Sequence, residues 1–328
     1  MTSGPSTAVS LEAPYPLVGK RVWVAGHTGM VGSAVTRALT TEGCEIVVAD
    51  RRKLDLTRQE EVRHFLSQSK PHAVIMAAAK VGGILANDTA PADFIYQNLM
   101  IEANVIEASF RYGVEKLLFL GSSCIYPKFA SQPIKEEALL SGPLEPTNQW
   151  YATAKIAGIK LCQAFRMQYG VDFISAMPTN LYGPRDNYDL MASHVVPALI
   201  RKAHDAKTRN LDRMTIWGSG TPRREFLYSE DCADAVVFLL KHYSEAEHIN
   251  IGFGSDMTII ELARLICNVV GFKGDIGLDR SKPDGTPRKL LSSEKLLSMG
   301  WRPKTSFEVG LARSYEWFIS NVLDKEGR

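Results

Sequence analysis

A short apolar run, Arg21-Val22-Trp23-Val24-Ala25, ends in Gly26-His27-Thr28-Gly29-Met30-Val31-Gly32, and an amphipathic stretch follows directly. No other feature constrains the fold as strongly. Glycine permits a tight turn and a close backbone approach that a side chain would block. The spacing is G-x-x-G-x-x-G, not the commoner G-x-G-x-x-G. A glycine turn alone says nothing about a ligand. Between the first strand pattern and the first helix pattern, it reads as the opening unit of a dinucleotide-binding sheet. The helix N-terminus would then turn its free N–H groups toward a pyrophosphate.

The same rhythm continues to about residue 180. Strand patterns rich in Val and Ile lie at 21–25, 45–49, 73–78, 116–121 and 172–177. Helix patterns lie between them at 30–42, 57–69, 91–112 and 149–169. Thr57 with Glu60 suggests a capping box, and Pro91 suits a helix start. Repeated strand–helix units imply an α/β fold with a doubly wound parallel sheet of Rossmann type. Beyond 181, polar and Pro/Gly segments separate helix patterns near 194–207, 229–242, 258–270, 292–298 and 307–322. The organisation expected is a flexible leader over 1–18, a dinucleotide-binding domain over 19–180, and a smaller mixed α/β substrate lobe over 181–328. Segments around 225–255, including His248–Phe253, are expected to return to the sheet domain.

Composition removes several classes. The net charge of +2 leaves no electrostatic footprint for nucleic acid or an anionic membrane. Apolar runs are strand-length, too short to span a bilayer. The leader is Ser/Pro-rich, with neither a basic start nor an apolar block, so it does not read as a signal peptide. Five cysteines, with no CxxC, argue against a metal site and a disulfide framework, and for a reduced cytoplasmic setting.

Two clusters carry the chemistry. The second strand runs into Ala49-Asp50-Arg51-Arg52. An acid there suits the ribose hydroxyls of NAD, and an arginine suits the 2′-phosphate of NADP. Both are present. Tyr151 and Lys155, four apart on a helix pattern, share a face. A phenol near pKa ~10 needs such a cation, or a cationic nicotinamide, to act as an acid–base group near neutrality. Spacing of this kind is common by itself. It gains weight from the glycine loop and from Ser122-Ser123-Cys124-Ile125-Tyr126-Pro127, 29 residues before Tyr151 at a strand end.

With those residues, the chain resembles the extended short-chain dehydrogenase/reductases. Further stretches narrow the resemblance: Ala77-Ala78-Ala79-Lys80-Val81-Gly82-Gly83-Ile84, Pro91-Ala92-Asp93-Phe94-Ile95-Tyr96, Gly121 through Lys128, Leu144-Glu145-Pro146-Thr147-Asn148 and Lys282 through Lys289. Over roughly residues 20–320 they are similar to the GDP-L-fucose synthase family, the GDP-4-keto-6-deoxy-D-mannose 3,5-epimerase/4-reductases. The resemblance implies inversion at C3 and C5 of a 4-keto sugar, then reduction of C4 by NADPH, with NAD(H) as a weaker alternative. It gives reduction to Ser122, Tyr151 and Lys155. It gives epimerisation to Cys124 as base and His194 as acid. Thiolate chemistry would need cationic surroundings around Cys124.

The same resemblance assigns cofactor contacts to Gly26, His27, Thr28, Gly29, Met30, Val31, Gly32, Asp50, Arg51, Ala78, Leu120, Gly121, Ser123, Lys155, Pro178, Thr179, Asn180, Leu181 and His194. It assigns substrate contacts to Lys202, Trp217, Arg224 and Asp284, and it implies a homodimer. Two departures matter. Thr28 stands where the family often has arginine, and Asp50 adds a carboxylate near a 2′-phosphate, leaving Arg51 and Arg52 to compensate. Three alternatives follow. A sugar-nucleotide 4,6-dehydratase needs an acidic pair where Cys124-Ile125 stand. A C4-only epimerase needs neither Cys124 nor His194. A dinucleotide-sensing protein without catalysis usually lacks the Tyr-Lys pair.

Overall fold

The computed structural model describes residues 14–190, 192–282 and 284–324. The first half contains β1 (Arg21–Ala25), α1 (Met30–Leu39), β2 (Glu45–Val47), α2 (Gln59–Ser69), β3 (Ala73–Met76), α3 (Ile84–Thr89), α4 (Pro91–Arg111), β4 (Lys116–Leu120), α5 (Gln149–Tyr169) and β5 (Asp172–Pro178). There follow β6 (Asn180–Tyr182), α6 (Val195–Thr208), β7 (Arg213–Trp217), β8 (Arg223–Tyr228), α7 (Ser229–His242), β9 (Ile249–Ile251), β10 (Asp256–Thr258), α8 (Ile259–Val270), β11 (Asp275–Asp279), β12 (Arg288–Lys289), α9 (Glu294–Ser298) and α10 (Phe307–Phe318).

A six-stranded parallel sheet in the order β2-β1-β3-β4-β5-β9 forms the main layer. Its strands are apolar on both faces because both faces are covered. Val22 and Val24 pack with α1 and α7 on one side, while Trp23 and Ala25 pack with α2, α4 and α5 on the other. A third core, built from α6, α8 and α10, fills the second lobe. There β8 is central. It pairs with β10, β12 and β6, and a separate β7–β11 pair completes the lobe. Of the stretch around 225–255, α7 packs on the first sheet and β9 joins its edge, while Arg223–Tyr228 belongs to the second sheet.

One carboxylate joins the two lobes. Glu225 on β8 is fully buried and accepts backbone N–H bonds from Phe253 and Gly254, each at 2.7 Å, and from Leu291 at 3.0 Å. Its own carbonyl accepts from the Asn180 amide at 2.8 Å. Three backbone donors from two segments thus compensate a charge that burial would otherwise penalise heavily.

The structure corrects several local expectations. Of the expected leader, residues 1–13 lie outside the described residues, but Leu17 is buried in the first core and Tyr15 donates to Glu115 at 2.9 Å. The Thr57–Glu60 capping box does not form. The Thr57 hydroxyl and N–H both turn back to Asp55, at 2.7 and 3.0 Å, and α2 starts two residues later. An aspartate two residues upstream offers a tighter local turn than the helix cap. A capping box does form at Thr258 and Glu261, at the start of α8. Strand β2 ends at Val47, because Asp50 and Arg52 close a turn on each other.

Gly26 carries the sheet's tightest crossing. Its φ is +89°, and a Cβ there would lie 2.7 Å from the Ala78 nitrogen. Gly113 has a similar φ of +73° but open space around it. Gly113→Ala should therefore cost about 1–2 kcal/mol from backbone strain alone. Gly26→Ala should cost about 1–3 kcal/mol more through overpacking. Denaturant unfolding of both variants reads the difference, and equal losses would contradict the crossing.

Candidate active site

The switch point of the sheet lies between β1 and β3, where strand order reverses and open α/β sheets bind ligands. Gly26 crosses under Ala78 here, and a Cβ at Gly32 would lie 2.1 Å from the Gly26 carbonyl oxygen. Both glycines are required by the protein's own packing. Gly29 is different: a Cβ there would meet only the Gly26 oxygen, at 3.5 Å. That position is open on the protein side, and it caps α1 with no side-chain cap and no acid in the first turn. The N–H groups at Met30 and Val31, in the first turn of α1, have no intrahelical acceptor. Such a cradle suits a pyrophosphate.

At the end of β2 the Asp50 carboxylate is already engaged. Arg52 donates to Asp50 Oδ1 from its backbone N–H at 2.8 Å and from Nε at 3.0 Å, and this holds Asp50 down at about 2. Arg51 remains exposed next to it. At the end of β5, Thr179 N–H bonds Ile251 and Asn180 bonds Glu225, fixing the run from Pro178 to Leu181 along the sheet's carboxyl edge. Leu120 and Gly121 close the same edge on β4, where Gly121 N–H bonds the Ala176 carbonyl.

The reactive side chains gather just beyond β4. Ser122 caps a single 3-10 turn, Ser123–Ile125, and its Oγ accepts from Cys124 N–H at 3.4 Å. Tyr126 anchors that turn from below by donating to Asn250 Oδ1 at 2.6 Å, with His248 Nε2 at 3.0 Å. Facing the turn, α5 presents Tyr151 and, one helical turn on, Lys155. The Lys155 Nζ donates to the Leu120 carbonyl at 3.0 Å and lies 5.8 Å from the centre of the Tyr151 ring. His194 caps α6, brought in by the preceding loop, whose Ala192 carbonyl accepts from Gly83 N–H at 2.9 Å. Gly83 has no room for a side chain, since a Cβ would sit 2.5 Å from the Ser193 oxygen. Residue 191 of that loop lies outside the described residues.

The four expected substrate residues also meet. Lys202 Nζ sits 4.9 Å from the Trp217 ring centre, and Lys282 approaches the same ring at 5.4 Å. Trp217 is 40% exposed, an unusual position for so large an apolar ring. Asp284 closes the adjoining turn by accepting from Ser219 N–H at 2.7 Å, and Arg224 donates to the Asp284 carbonyl at 3.5 Å. Arg223 faces away into an ion pair with Asp256 at 2.9 Å.

Comparison with known proteins gives this geometry a family. Residues 22–252 match the model of the NAD dependent epimerase/dehydratase family. Over 310 residues the chain is 77% identical to a GDP-L-fucose synthase from Sinorhizobium fredii, covering 94% of this chain and 99% of that one. The chain belongs to the GDP-L-fucose synthase family. The Escherichia coli GDP-L-fucose synthase is 53% identical over 312 residues, covering 92% and 97% of the two chains. A GDP-L-fucose synthetase from Naegleria fowleri, solved bound to NADP, superposes with a TM-score of 0.86 at 28% identity, over 95% of this chain and 98% of that one.

For a member of the GDP-L-fucose synthase family, the protonation states are informative. Burial pushes the Cys124 thiol above the usual thiol range. The leading opposing influence is Lys289, followed by Ser122 and Lys155. The cationic surroundings expected from the sequence exist, but desolvation outweighs them before a ligand binds. His194 is exposed at the start of α6; partial desolvation of its ring, and then Lys289, lower its pKa. Tyr151 is held well above 10, chiefly by burial, with the neighbouring Cys124 and Glu102 adding to the rise, so the phenol rests protonated. The lowering by Lys155 that spacing alone suggests is offset because Lys155 is itself paired to Glu102 at 3.1 Å.

Lys289 and Glu102 were not singled out by sequence reasoning. Lys289 lies within the Lys282–Lys289 stretch but looks like any surface charge; its parallel register with Arg224 turns both toward the cleft. Because Cys124 is raised, alkylation by iodoacetamide should be slow near pH 7 and rise about tenfold per pH unit below its pKa. Lys289→Met should slow it a further ~3- to 10-fold at fixed pH. Peptide mapping of Cys124 reads the rate, and a pH-independent rate would contradict the assignment.

Proposed function

We propose that the protein converts GDP-4-keto-6-deoxy-D-mannose to GDP-L-fucose, inverting C3 and C5 and then reducing the C4 ketone with NADPH. The observation that carries this reading is the buried thiol of Cys124 on the turn that Ser122 caps, packed against α5, which carries Tyr151. A reductase alone has no need of a nucleophilic proton carrier beside its phenol, and a dehydratase would need carboxylates where Cys124 and Ile125 stand.

The chemistry follows from the groups present. Ser122 and Tyr151 hold the C4 oxygen with two O–H donors. Protons at C3 and C5 are acidic because the C4 carbonyl can accept the electron pair as an enolate. The donors at that oxygen stabilise the developing charge. Cys124, as thiolate, removes a proton, and His194, as imidazolium, returns one from the other face. The thiol and imidazole rest neutral, so transfer of a proton from sulfur to nitrogen arms both together. When bound, NADPH supplies a hydride to C4. The Tyr151 phenol then gives its proton to the C4 oxygen, and Lys155 steadies the phenolate left behind.

The open shoulder at Gly29 and the uncapped start of α1 fit the pyrophosphate of the cofactor. Arg52 neutralises Asp50, which removes the carboxylate's repulsion toward a 2′-phosphate and leaves Arg51 to meet it. Lys202 and Arg224 suit the GDP phosphates, and Trp217 offers a face for the base. We place the protein in the cytoplasm as a homodimer. All five cysteines are free, and among the described residues no helix is long and apolar enough to cross a membrane. The exposed apolar residues Tyr96 and Leu99 on α4 and Trp150 on α5 mark the contact face.

Incubation with GDP-4-keto-6-deoxy-D-mannose should yield GDP-L-fucose with NADPH, and kcat/KM should be higher for NADPH than for NADH. No oxidation of either cofactor would remove the reductase reading. Cys124→Ser should slow inversion by about 100-fold or more while some C4 reduction of the uninverted ketone continues. Tyr151→Phe should cut reduction by a similar factor. Equal loss of both steps in Cys124→Ser would point to a structural role for the thiol.

A further inference from the structure

Beneath the catalytic cleft a second carboxylate is buried with no role in the chemistry above. Glu102, on the inner face of α4, is 2% exposed, and so is Lys155, whose Nζ stands 3.1 Å from Glu102 Oε1. Beyond that ion pair, neither carboxylate oxygen has a hydrogen-bond partner among the described residues. The cavity that admits this pair is specific. Gly158 interrupts α5 one turn after Lys155, and a Cβ there would lie 2.9 Å from Glu102 Oε2 and 2.5 Å from the Phe119 ring. Glycine inside a helix costs about 1 kcal/mol relative to alanine. Here it makes room for a buried charge that adds nothing obvious to stability, since replacing such pairs by apolar groups is often neutral or favourable.

We propose that Glu102 is a positioning residue of the reductive step, its carboxylate fixing the Lys155 ammonium beneath Tyr151 so that C4 reduction requires this ion pair intact. The inference rests on the epimerase–reductase reading and deepens it. The geometry supplies three constraints on one ammonium: the Leu120 carbonyl at 3.0 Å, the Phe119 ring centre at 4.7 Å and Glu102. Removing Glu102 leaves a buried cation with one carbonyl and a ring. A flexible lysine so released has no reason to stay under the phenol, and displacements on the scale of an ångström can cost about 100-fold in rate.

The pair also has a pH signature. Burial raises Glu102 to about 7, against the opposing pull of Lys155. The titratable groups facing it are Lys155, Tyr151 and Cys162 on α5, with Cys124 beyond Tyr151 on the strand-end turn. Phe119 on β4 lies beside the same space at Gly158, and the α2 arginine Arg63 pairs instead with Glu107, further along α4. A carboxyl raised in this way is ionised above its pKa and neutral below it. The ion pair is therefore present on the alkaline side and lost as the pH falls through about 7.

Single-turnover NADPH oxidation, measured from about pH 6 to about pH 9, tests the proposal. The wild-type rate should fall below about pH 7. Glu102→Gln should be about 10- to 100-fold slower and lack that limb. Glu102→Asp should keep a limb at an intermediate rate. Thermal unfolding and fluorescence titration with NADPH confirm that the variants fold. A Glu102→Gln enzyme with the wild-type rate and limb would overturn the proposal. If that variant does not fold, carbon-13 labelling of glutamate in the wild type decides. One carboxyl should titrate with the midpoint of the rate limb, and none titrating above about pH 5.5 would overturn the proposal. Should the wild type oxidise no cofactor, the function falls, and the carboxyl titration still tests the ion pair.

Discussion

The site is organised around an ammonium kept out of water. Lys155 is buried between β4, α4 and α5, and a lone charge there would cost several kcal/mol. Its requirements shape the surroundings. The Leu120 carbonyl turns toward it at the end of β4, Glu102 reaches across from α4, and Gly158 gives up a side chain so that both helices can close over Phe119. Tyr151 inherits its place from this arrangement, one turn before Lys155 on the same face of α5. The strand-end turn bearing Ser122 and Cys124 then packs against the start of that helix. Cofactor edge, phenol and thiol are thus referred to one fixed charge.

A second buried charge sets how the lobes meet. Glu225 takes backbone donors from the segments that follow β9 and β12, and its carbonyl is tied to the residue pair after β5 through Asn180. The proposed substrate residues Lys202, Trp217 and Arg224 stand on α6, β7 and β8, and Glu225 is the next residue after Arg224. Arg224 is therefore adjacent to the residue that locks the lobe to the sheet. This explains how polar, irregular segments can present a defined surface without long strands of their own.

Much of this was legible in the sequence. The glycine loop, the continuous apolar strands β1, β3, β4 and β5, and the Tyr151–Lys155 spacing all express local rules. The doubly wound sheet follows from them. The second lobe was less legible, since β6, β10 and β12 have two or three residues each and are defined by partners far along the chain. The Thr57–Glu60 motif misled because Asp55 offered the hydroxyl a nearer partner. Glu102 and Lys289 were invisible for a different reason. A carboxylate on an amphipathic helix and a lysine in a loop normally face water, and only the tertiary structure shows that both point inward. Asp50 and Arg51 gave opposite readings from sequence. The structure adds that Arg52 pairs with the Asp50 carboxylate, a contact the sequence pattern does not show.

The central claim is that one oxygen-binding site serves two reactions. In the proposed mechanism Ser122 and Tyr151 stabilise the enolate during inversion and the alkoxide during reduction, because both charges develop on the same C4 oxygen. The most direct test is Ser122→Ala, with two rates measured on the same preparation. One is deuterium exchange at C3 and C5 in heavy water without NADPH; the other is single-turnover oxidation of NADPH. The account predicts that both fall together, by about tenfold or more. A variant that loses reduction but exchanges deuterium at the wild-type rate would contradict it.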